Sequence, residues 1–222
     1  MCFYPVVKMG KITDLRANKR TDKQLNMFID GKFAFKIDAG VVKNGELKIG
    51  QEISDNRLKE LAEDVSLARC LNAAYRFLSY RPRSEAEIKE RLRRRGFEDS
   101  KIEIVINKLK EQNLLDDTAF AQFWKENRDM FRPRSQRLTR LELKKKGVAD
   151  EIIKAVTDDS DDIQTAYQAA QKKAQHLPNQ DYEVFRRRLG EYLKRRGFGY
   201  TVISQTVKRI WQERKEPRST NI

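Results

Sequence analysis

The chain is 222 residues long, 39% hydrophobic and 36% charged, with a formal net charge of +14. With five prolines and no run near about 18 apolar residues, it excludes a disordered or low-complexity protein and a membrane-spanning helix. The excess base is uneven: residues 1–66 carry 12 Lys+Arg against 10 Asp+Glu, whereas residues 67–222 carry 35 against 23, pointing the second region toward nucleic acid or an acidic protein surface.

Residues 1–53 read as a small β-rich region. Lys11-Ile12-Thr13-Asp14-Leu15-Arg16 alternates polar and apolar side chains, and Met27-Phe28-Ile29 and Phe33-Ala34-Phe35-Lys36-Ile37 flank Asp30-Gly31-Lys32. Asp-Gly between β-rich runs predicts a hairpin, because a type I′ turn needs positive φ at both central residues. Asn44-Gly45 marks a second turn, and Leu47-Lys48-Ile49-Gly50-Gln51 leads out. An antiparallel sheet of about three strands follows, too small to be stable alone and therefore expected to pack on the next helix.

From Ser54 the apolar period becomes helical. Residues 54–66 form a connecting helix capped by Ser54 or Asp55, with a break expected near Glu63-Asp64 before it resumes to Ser79-Tyr80. Leu67, Leu71, Ala74, Tyr75 and Leu78 share one face, and Cys70 is a small core residue there. Cys2 and Cys70 are too few for a disulfide framework. With no signal-peptide profile, the expected setting is a soluble protein of the cytoplasm.

Three units of three helices are predicted, over residues 67–115, 116–160 and 161–215, with a loose tail at 216–222. In the first, Ser84-Glu85-Ala86-Glu87 reads as a capping box opening a helix that places Ile88 and Leu92 inward; Ile102, Val105, Ile106 and Leu109 line the next. The second has Asp116 as cap, then Phe120, Phe123 and Trp124; Leu138, Leu141 and Leu143; and Asp150 as cap before Ile152, Ile153 and Val156. The third opens within Asp158–Asp162. It carries Ile163, Ala166, Tyr167, Ala170 and Ala174, is interrupted at Pro178, and continues with Phe185, Leu189 and Leu193, then Val202, Ile203, Val207 and Ile210.

One phrase recurs through these units. Leu92-Arg93-Arg94-Arg95-Gly96-Phe97 returns as Leu143-Lys144-Lys145-Lys146-Gly147-Val148 and as Leu193-Lys194-Arg195-Arg196-Gly197-Phe198, the glycines 51 and 50 positions apart. Each ends one helix with three cations and a glycine suited to a left-handed C-terminal position. Arg81-Pro82-Arg83-Ser84 also returns, as Arg132-Pro133-Arg134-Ser135, each starting 15 positions before its glycine. A fixed period marks an array of stacked supersecondary units.

These residues resemble the RecX family of bacterial recombination regulators. The resemblance is carried by Ser79-Tyr80-Arg81-Pro82-Arg83-Ser84-Glu85, Arg94-Arg95-Gly96-Phe97, Leu114-Leu115-Asp116-Asp117 with Phe120-Ala121, and Lys145-Lys146-Gly147-Val148, over roughly residues 67–214. The segment with Phe28-Ile29-Asp30-Gly31 and Phe33-Ala34-Phe35 is similar to the N-terminal part of some members. The resemblance implies three tandem three-helix units and binding to the RecA–DNA filament in its groove. It also implies inhibition of RecA strand exchange and co-protease activity, in DNA repair and the SOS response. The third unit departs from the pattern, with Asp181-Tyr182 where the Arg-Pro-Arg-Ser phrase would begin.

The candidate contact residues are the recurring cations. They are Arg81, Arg83, Lys89, Arg93, Arg94 and Arg95 in the first unit, and Arg132, Arg134, Arg137, Arg140, Lys144, Lys145 and Lys146 in the second. The third adds Arg186, Arg187, Lys194, Arg195 and Arg196. Guanidinium groups fork onto phosphate or carboxylate and lysines act as point charges, so such a stripe holds single- or double-stranded DNA without sequence preference, or an acidic face of RecA. Phe120, Phe123, Trp124, Tyr167 and Trp211 fall on apolar stripes and read as core.

No catalytic, metal or cofactor motif stands out. The sole histidine, His176, lies at a helix end beside Leu177-Pro178, and the acidic pairs coincide with helix starts. The expectation is a monomeric binding protein without a cofactor. The alternative is a helix-turn-helix protein acting on duplex DNA, but the helices that would read bases open with Asp99 and with Asp150-Glu151.

Overall fold

Alternating side chains and one tight turn shape the start of the chain. In the computed structural model, which describes residues 9–18, 21–43, 47–159, 161–177 and 181–215, strands β1 (Met9–Asn18), β2 (Thr21–Ile29), β3 (Lys32–Asp38) and β4 (Glu52–Ser54) form an antiparallel sheet in the order β3-β2-β1-β4. Asp30 and Gly31 adopt φ of 48° and 75°, the two positive values the hairpin requires. The Gly31 N–H donates to the Thr13 hydroxyl, and the Lys11 N–H donates to the Asp30 carboxylate, so the turn is tied to β1.

The sheet has one strand more than the sequence suggests. β4 pairs Ile53 with Gly10, and its three residues are too few to display an alternation. A five-residue helix, α1 (Ala39–Lys43), is equally short of a periodic signal. The Cys2, Asn44-Gly45, Pro178 and tail expectations lie outside the described residues.

Helix α2 (Asp55–Leu78) is continuous for 24 residues, so the expected break at Glu63-Asp64 is absent. Both acids point outward, and Glu63 pairs with Lys101 at 2.9 Å, which leaves the helix no reason to interrupt there. Ser54 is the cap, its hydroxyl accepting from the Arg57 N–H at 3.3 Å. Leu58, Leu61 and Val65 of α2 complete the core formed by Ile12, Met27, Ile37, Leu47 and Ile53. Each fully buried side chain of this core contributes about 1.5–3 kcal/mol, and half-buried Leu58 and Val65 contribute less, which together the small sheet needs. Cys70 is fully buried, and burial pushes its thiol pKa up, as suits an unreactive core residue.

The described residues divide into two compact units: residues up to Arg76 with Phe97–Val105, and Phe77–Gly96 with residues from Ile106 onward. Helix α4 (Asp99–Glu111) begins in the first and ends in the second, as α2 does. The second unit holds α3 (Glu85–Arg93), α5 (Asp117–Phe131), α6 (Gln136–Lys145), α7 (Asp150–Thr157), α8 (Asp162–Ala174), α9 (Tyr182–Arg195) and α10 (Tyr200–Lys215). No helix of the described residues is long and apolar enough to cross a membrane.

Side-chain caps start these helices: Ser84 accepts from Glu87 N–H, Asp116 from Thr118 and Ala119, Ser135 from Leu138, Asp161 from Ile163 and Gln164, and Asp181 from Glu183. Gly96, Gly147 and Gly197 close α3, α6 and α9 with φ of 81°, 75° and 88°, a backbone that favours glycine. Phe120, Ala121, Leu143, Val148 and Ile153 form one core. Ala166, Ala170, Phe185, Leu189, Leu193, Val207 and Ile210 form another, with the Trp211 ring 5.1 Å from that of Phe185.

Four local expectations fail for identifiable reasons. The Glu87 carboxylate does not reach back to Ser84, because Arg81 and Lys146 claim it. Asp150 is the first helical residue rather than the cap; its carboxylate binds Lys144, and Ala149 stands at the cap without a side-chain bond. Leu141 is 44% exposed because it lies off the Thr139/Leu143 face of α6. Ile163 is 46% exposed at the start of α8, outside the core that Ala166 and Ala170 join.

Candidate functional site

The recurring phrases meet each other. Arg-Pro-Arg-Ser of one repeat seats the cation-glycine end of the next, so the N-terminus of α3 abuts the C-terminus of α6, and the N-terminus of α6 abuts the C-terminus of α9. At the first joint the Ser84 hydroxyl donates to the Lys146 carbonyl at 2.6 Å, while its oxygen caps α3. At the second the Ser135 N–H donates to the Arg196 carbonyl at 3.0 Å. Helix ends carry unsatisfied N–H and C=O groups and opposite partial charges, and here two ends satisfy each other. The next residues repeat the arrangement: Glu85 N–H donates to Asp117 at 2.8 Å and Gln136 N–H to Asp162 at 2.7 Å.

The glycines permit the approach. A methyl at Gly147 would collide with the methyl of Ala86, and one at Gly197 with Ser135 and Leu138. The same methyl at Gly96 would meet nothing within 4 Å. Positive φ explains all three glycines; close contact explains only the second and third.

In the second and third trios the last cation has a different fate from the first two. Lys146 turns inward to Glu87 at 2.7 Å and lies 4.2 Å from the centre of the Trp124 ring. Arg196 donates to the Pro133 carbonyl at 2.8 Å and covers Tyr192. Arg95, which no Arg-Pro-Arg-Ser phrase of an earlier repeat seats, is exposed. The first two members, Arg93-Arg94, Lys144-Lys145 and Lys194-Arg195, are exposed in every repeat. Successive cationic ends therefore lie about one helix length apart, roughly 15 Å for helices of nine or ten residues.

Several sequence-selected cations serve the joint. Arg81 forks onto Glu87 with contacts of 2.9 and 3.0 Å, and Arg134 binds Glu142, which also accepts from the Trp124 indole at 2.9 Å and from Arg128 at 2.7 Å. Arg83 stacks 4.0 Å over Phe77, and burial, then the neighbouring Arg81, lowers its pKa. Lys89 pairs with Glu85, Arg94 with Glu90, Arg140 with Asp158, Lys144 with Asp150 and Arg186 with Glu183. Arg95, Arg132, Arg137, Lys145, Arg187, Lys194 and Arg195 are exposed with no carboxylate in ion-pair range among the described residues. Trp124, Glu87 and Glu142 organise the joint and were not legible as such: the tryptophan sits on an apolar stripe, and its cationic neighbours come from three separate segments.

This arrangement of four consecutive modules has known counterparts. Family models for the regulatory protein RecX N-terminal domain and for the first, second and third RecX three-helix domains match residues 10–54, 70–109, 116–156 and 159–207. The chain belongs to the RecX family. A regulatory protein RecX of Clostridium beijerinckii is 28% identical over 207 residues, covering 91% of this chain and 96% of that protein. Those of Bacillus velezensis and Bacillus subtilis are 31% and 30% identical, with 92% and 94% of this chain covered and 79% and 80% of theirs. A crystal structure of regulatory protein RecX shares the fold with a TM-score of 0.62 at 23% identity, over 90% of this chain and 99% of that one. The structure of RecX from Lactobacillus salivarius aligns with a TM-score of 0.57 over 67% of this chain and 99% of its own. RecX proteins are regulators, and the joints described above are how this member assembles its repeats.

Proposed function

We propose that this chain binds the RecA nucleoprotein filament and restrains RecA's recombinase and co-protease activities, acting in the cytoplasm by binding alone, without a catalytic step or cofactor. The observation that carries this reading is the pair of exposed cations that opens every trio, in a chain of the RecX family. The joints use Lys146 and Arg196, and the first two members of every trio stay in solvent at intervals of about one helix. Cations so spaced suit a long polyanion, either the phosphates of single- or double-stranded DNA or a repeating acidic surface of RecA. A bound array that holds one filament conformation opposes the turnover that recombination requires. The helix-turn-helix alternative is less favoured, because Asp99 and the Lys144-bound Asp150 occupy the helix starts that would read bases.

RecA strand exchange and ATPase assays test the reading. The intact chain is expected to inhibit both. The triple variant Arg94→Glu, Lys145→Glu and Arg195→Glu is expected to keep its melting temperature and lose most of the inhibition. Equal inhibition by folded variant and parent refutes it.

A further inference from the structure

The third repeat carries a groove larger than its counterpart in the second repeat and without the ion pairs found there. It runs between α9 and α10 with a volume of about 640 Å³, on a floor of Phe198, Ile203 and Val207 beneath Gly190. Gly190 leaves the centre bare: an added methyl there would meet only the Ile203 side chain, at an ordinary 3.7 Å.

Residues 50 positions earlier show what is missing. The corresponding depression between α6 and α7 holds about 390 Å³. Arg140, which lines it, donates to the Thr157 hydroxyl at 2.7 Å and to Asp158 at 2.8 Å, and Lys144 and Asp150, both also in its lining, pair at 3.0 Å. In the third repeat Gly190 replaces Arg140, Val207 replaces Thr157, Lys208 replaces Asp158 and Tyr200 replaces Asp150. The Arg140 bridge and the acid of the Lys144–Asp150 pair have no counterpart there, and the cation of that pair is kept as Lys194. Lys194 is left without the counter-ion its equivalent has, and Tyr200 is 82% exposed at the rim.

We infer that this groove binds an amphipathic peptide segment of a partner protein, with apolar anchors on the floor and carboxylates at the rim. The rim carries Arg187 and Lys194, both exposed and unpaired among the described residues, and Arg186, paired with Glu183; Glu191 is the one further acid lining it. The balance is positive, so an acidic segment complements it. The floor of Phe198, Ile203 and Val207 is apolar, which suits side-chain anchors laid into a helix–helix groove. The proposal does not depend on the filament reading, and its test uses no RecA.

The probe is a fluorescein-labelled helical peptide with leucines and one phenylalanine at i, i+3, i+4 and i+7 and glutamates elsewhere. It is titrated by anisotropy with the intact chain. Binding is expected, with affinity reduced at least about tenfold for the counterpart bearing lysines in place of glutamates. Gly190→Leu fills the groove without removing a charge and is expected to abolish binding. That variant should melt no lower than the parent, since replacing a helical glycine favours the helix. Tyr200→Asp, which returns a counter-ion to Lys194, is expected to weaken binding while leaving the floor intact. Undiminished binding by folded Gly190→Leu overturns the proposal, as does equal affinity for the lysine peptide. Stronger binding of an oligothymidine that Gly190→Leu also abolishes would assign the groove to nucleic acid and overturn it too.

Discussion

Replacing Gly147 by alanine separates the two reasons for a glycine in the recurring phrase. Gly96 and Gly147 share the left-handed backbone, with φ of 81° and 75°. Gly96→Ala meets open space, so it should cost only the steric strain of that conformation, about 1–2 kcal/mol. Gly147→Ala adds a collision with the Ala86 methyl at the joint, and overpacking of a fitted contact adds about 1–3 kcal/mol. Ala86→Gly removes the obstacle at a helix-propensity cost of up to about 1 kcal/mol. In that background Gly147→Ala should cost no more than Gly96→Ala does, a coupling of about 1–3 kcal/mol between the two sites. Urea unfolding followed by tryptophan fluorescence reads it, with Trp211→Phe leaving Trp124 at the joint as the sole reporter. Equal losses at Gly96 and Gly147, or no recovery with Ala86→Gly, would refute the claim that the phrase is a joint.

Further outcomes follow from the same contacts. Ser84→Ala removes both the cap of α3 and the hydroxyl bond to the Lys146 carbonyl, costing about 1.5–3 kcal/mol; Ser135→Ala removes only a cap, about 1 kcal/mol, because a backbone N–H serves Arg196. Thermal melts giving the reverse order would contradict this. Burial pushes the Glu87 carboxyl up, but hydrogen bonds from Arg81 and Lys146 outweigh it and hold the pKa below its ordinary value. Its stabilisation is therefore present above the usual carboxylate range and is lost as pH falls through the depressed value. Asp117 has the opposite sign, since burial raises it despite the Glu85 N–H, so its protonation favours the fold on acidification. Melting temperatures between about pH 7 and about pH 3 should fall less steeply for Glu87→Gln and more steeply for Asp117→Asn. Parallel curves would remove Glu87 from the joint's electrostatics.

Much of this molecule can be read along the chain because its signals are local. The Asp30-Gly31 hairpin, the serine and aspartate caps and the three left-handed glycines each depend on a few neighbouring residues. Short elements escape for the same reason: β4 and α1 are too short to display a period. The recurrence of Arg-Pro-Arg-Ser is visible along the chain, but its use is not. Ser84 meets Lys146 across 62 positions, and Arg196 meets Pro133 across 63, pairings that no local pattern encodes. A trio of cations reads as one basic patch until the third member is seen turned into the joint. The one hint is that no earlier repeat offers the phrase to Arg95, whose side chain, unlike those of Lys146 and Arg196, stays in solvent.

The most direct test is the salt dependence of binding to RecA filaments formed on single-stranded DNA. The intact chain should bind with an affinity that falls as salt rises. Arg94→Glu, Lys145→Glu and Arg195→Glu together should weaken binding at low salt and flatten the slope, by about 0.7 for each single-strand phosphate no longer neutralised. Lys146→Gln should lower the melting temperature and leave the slope unchanged. An unchanged affinity and slope for the triple variant, or a slope that responds to Lys146 alone, would contradict the account.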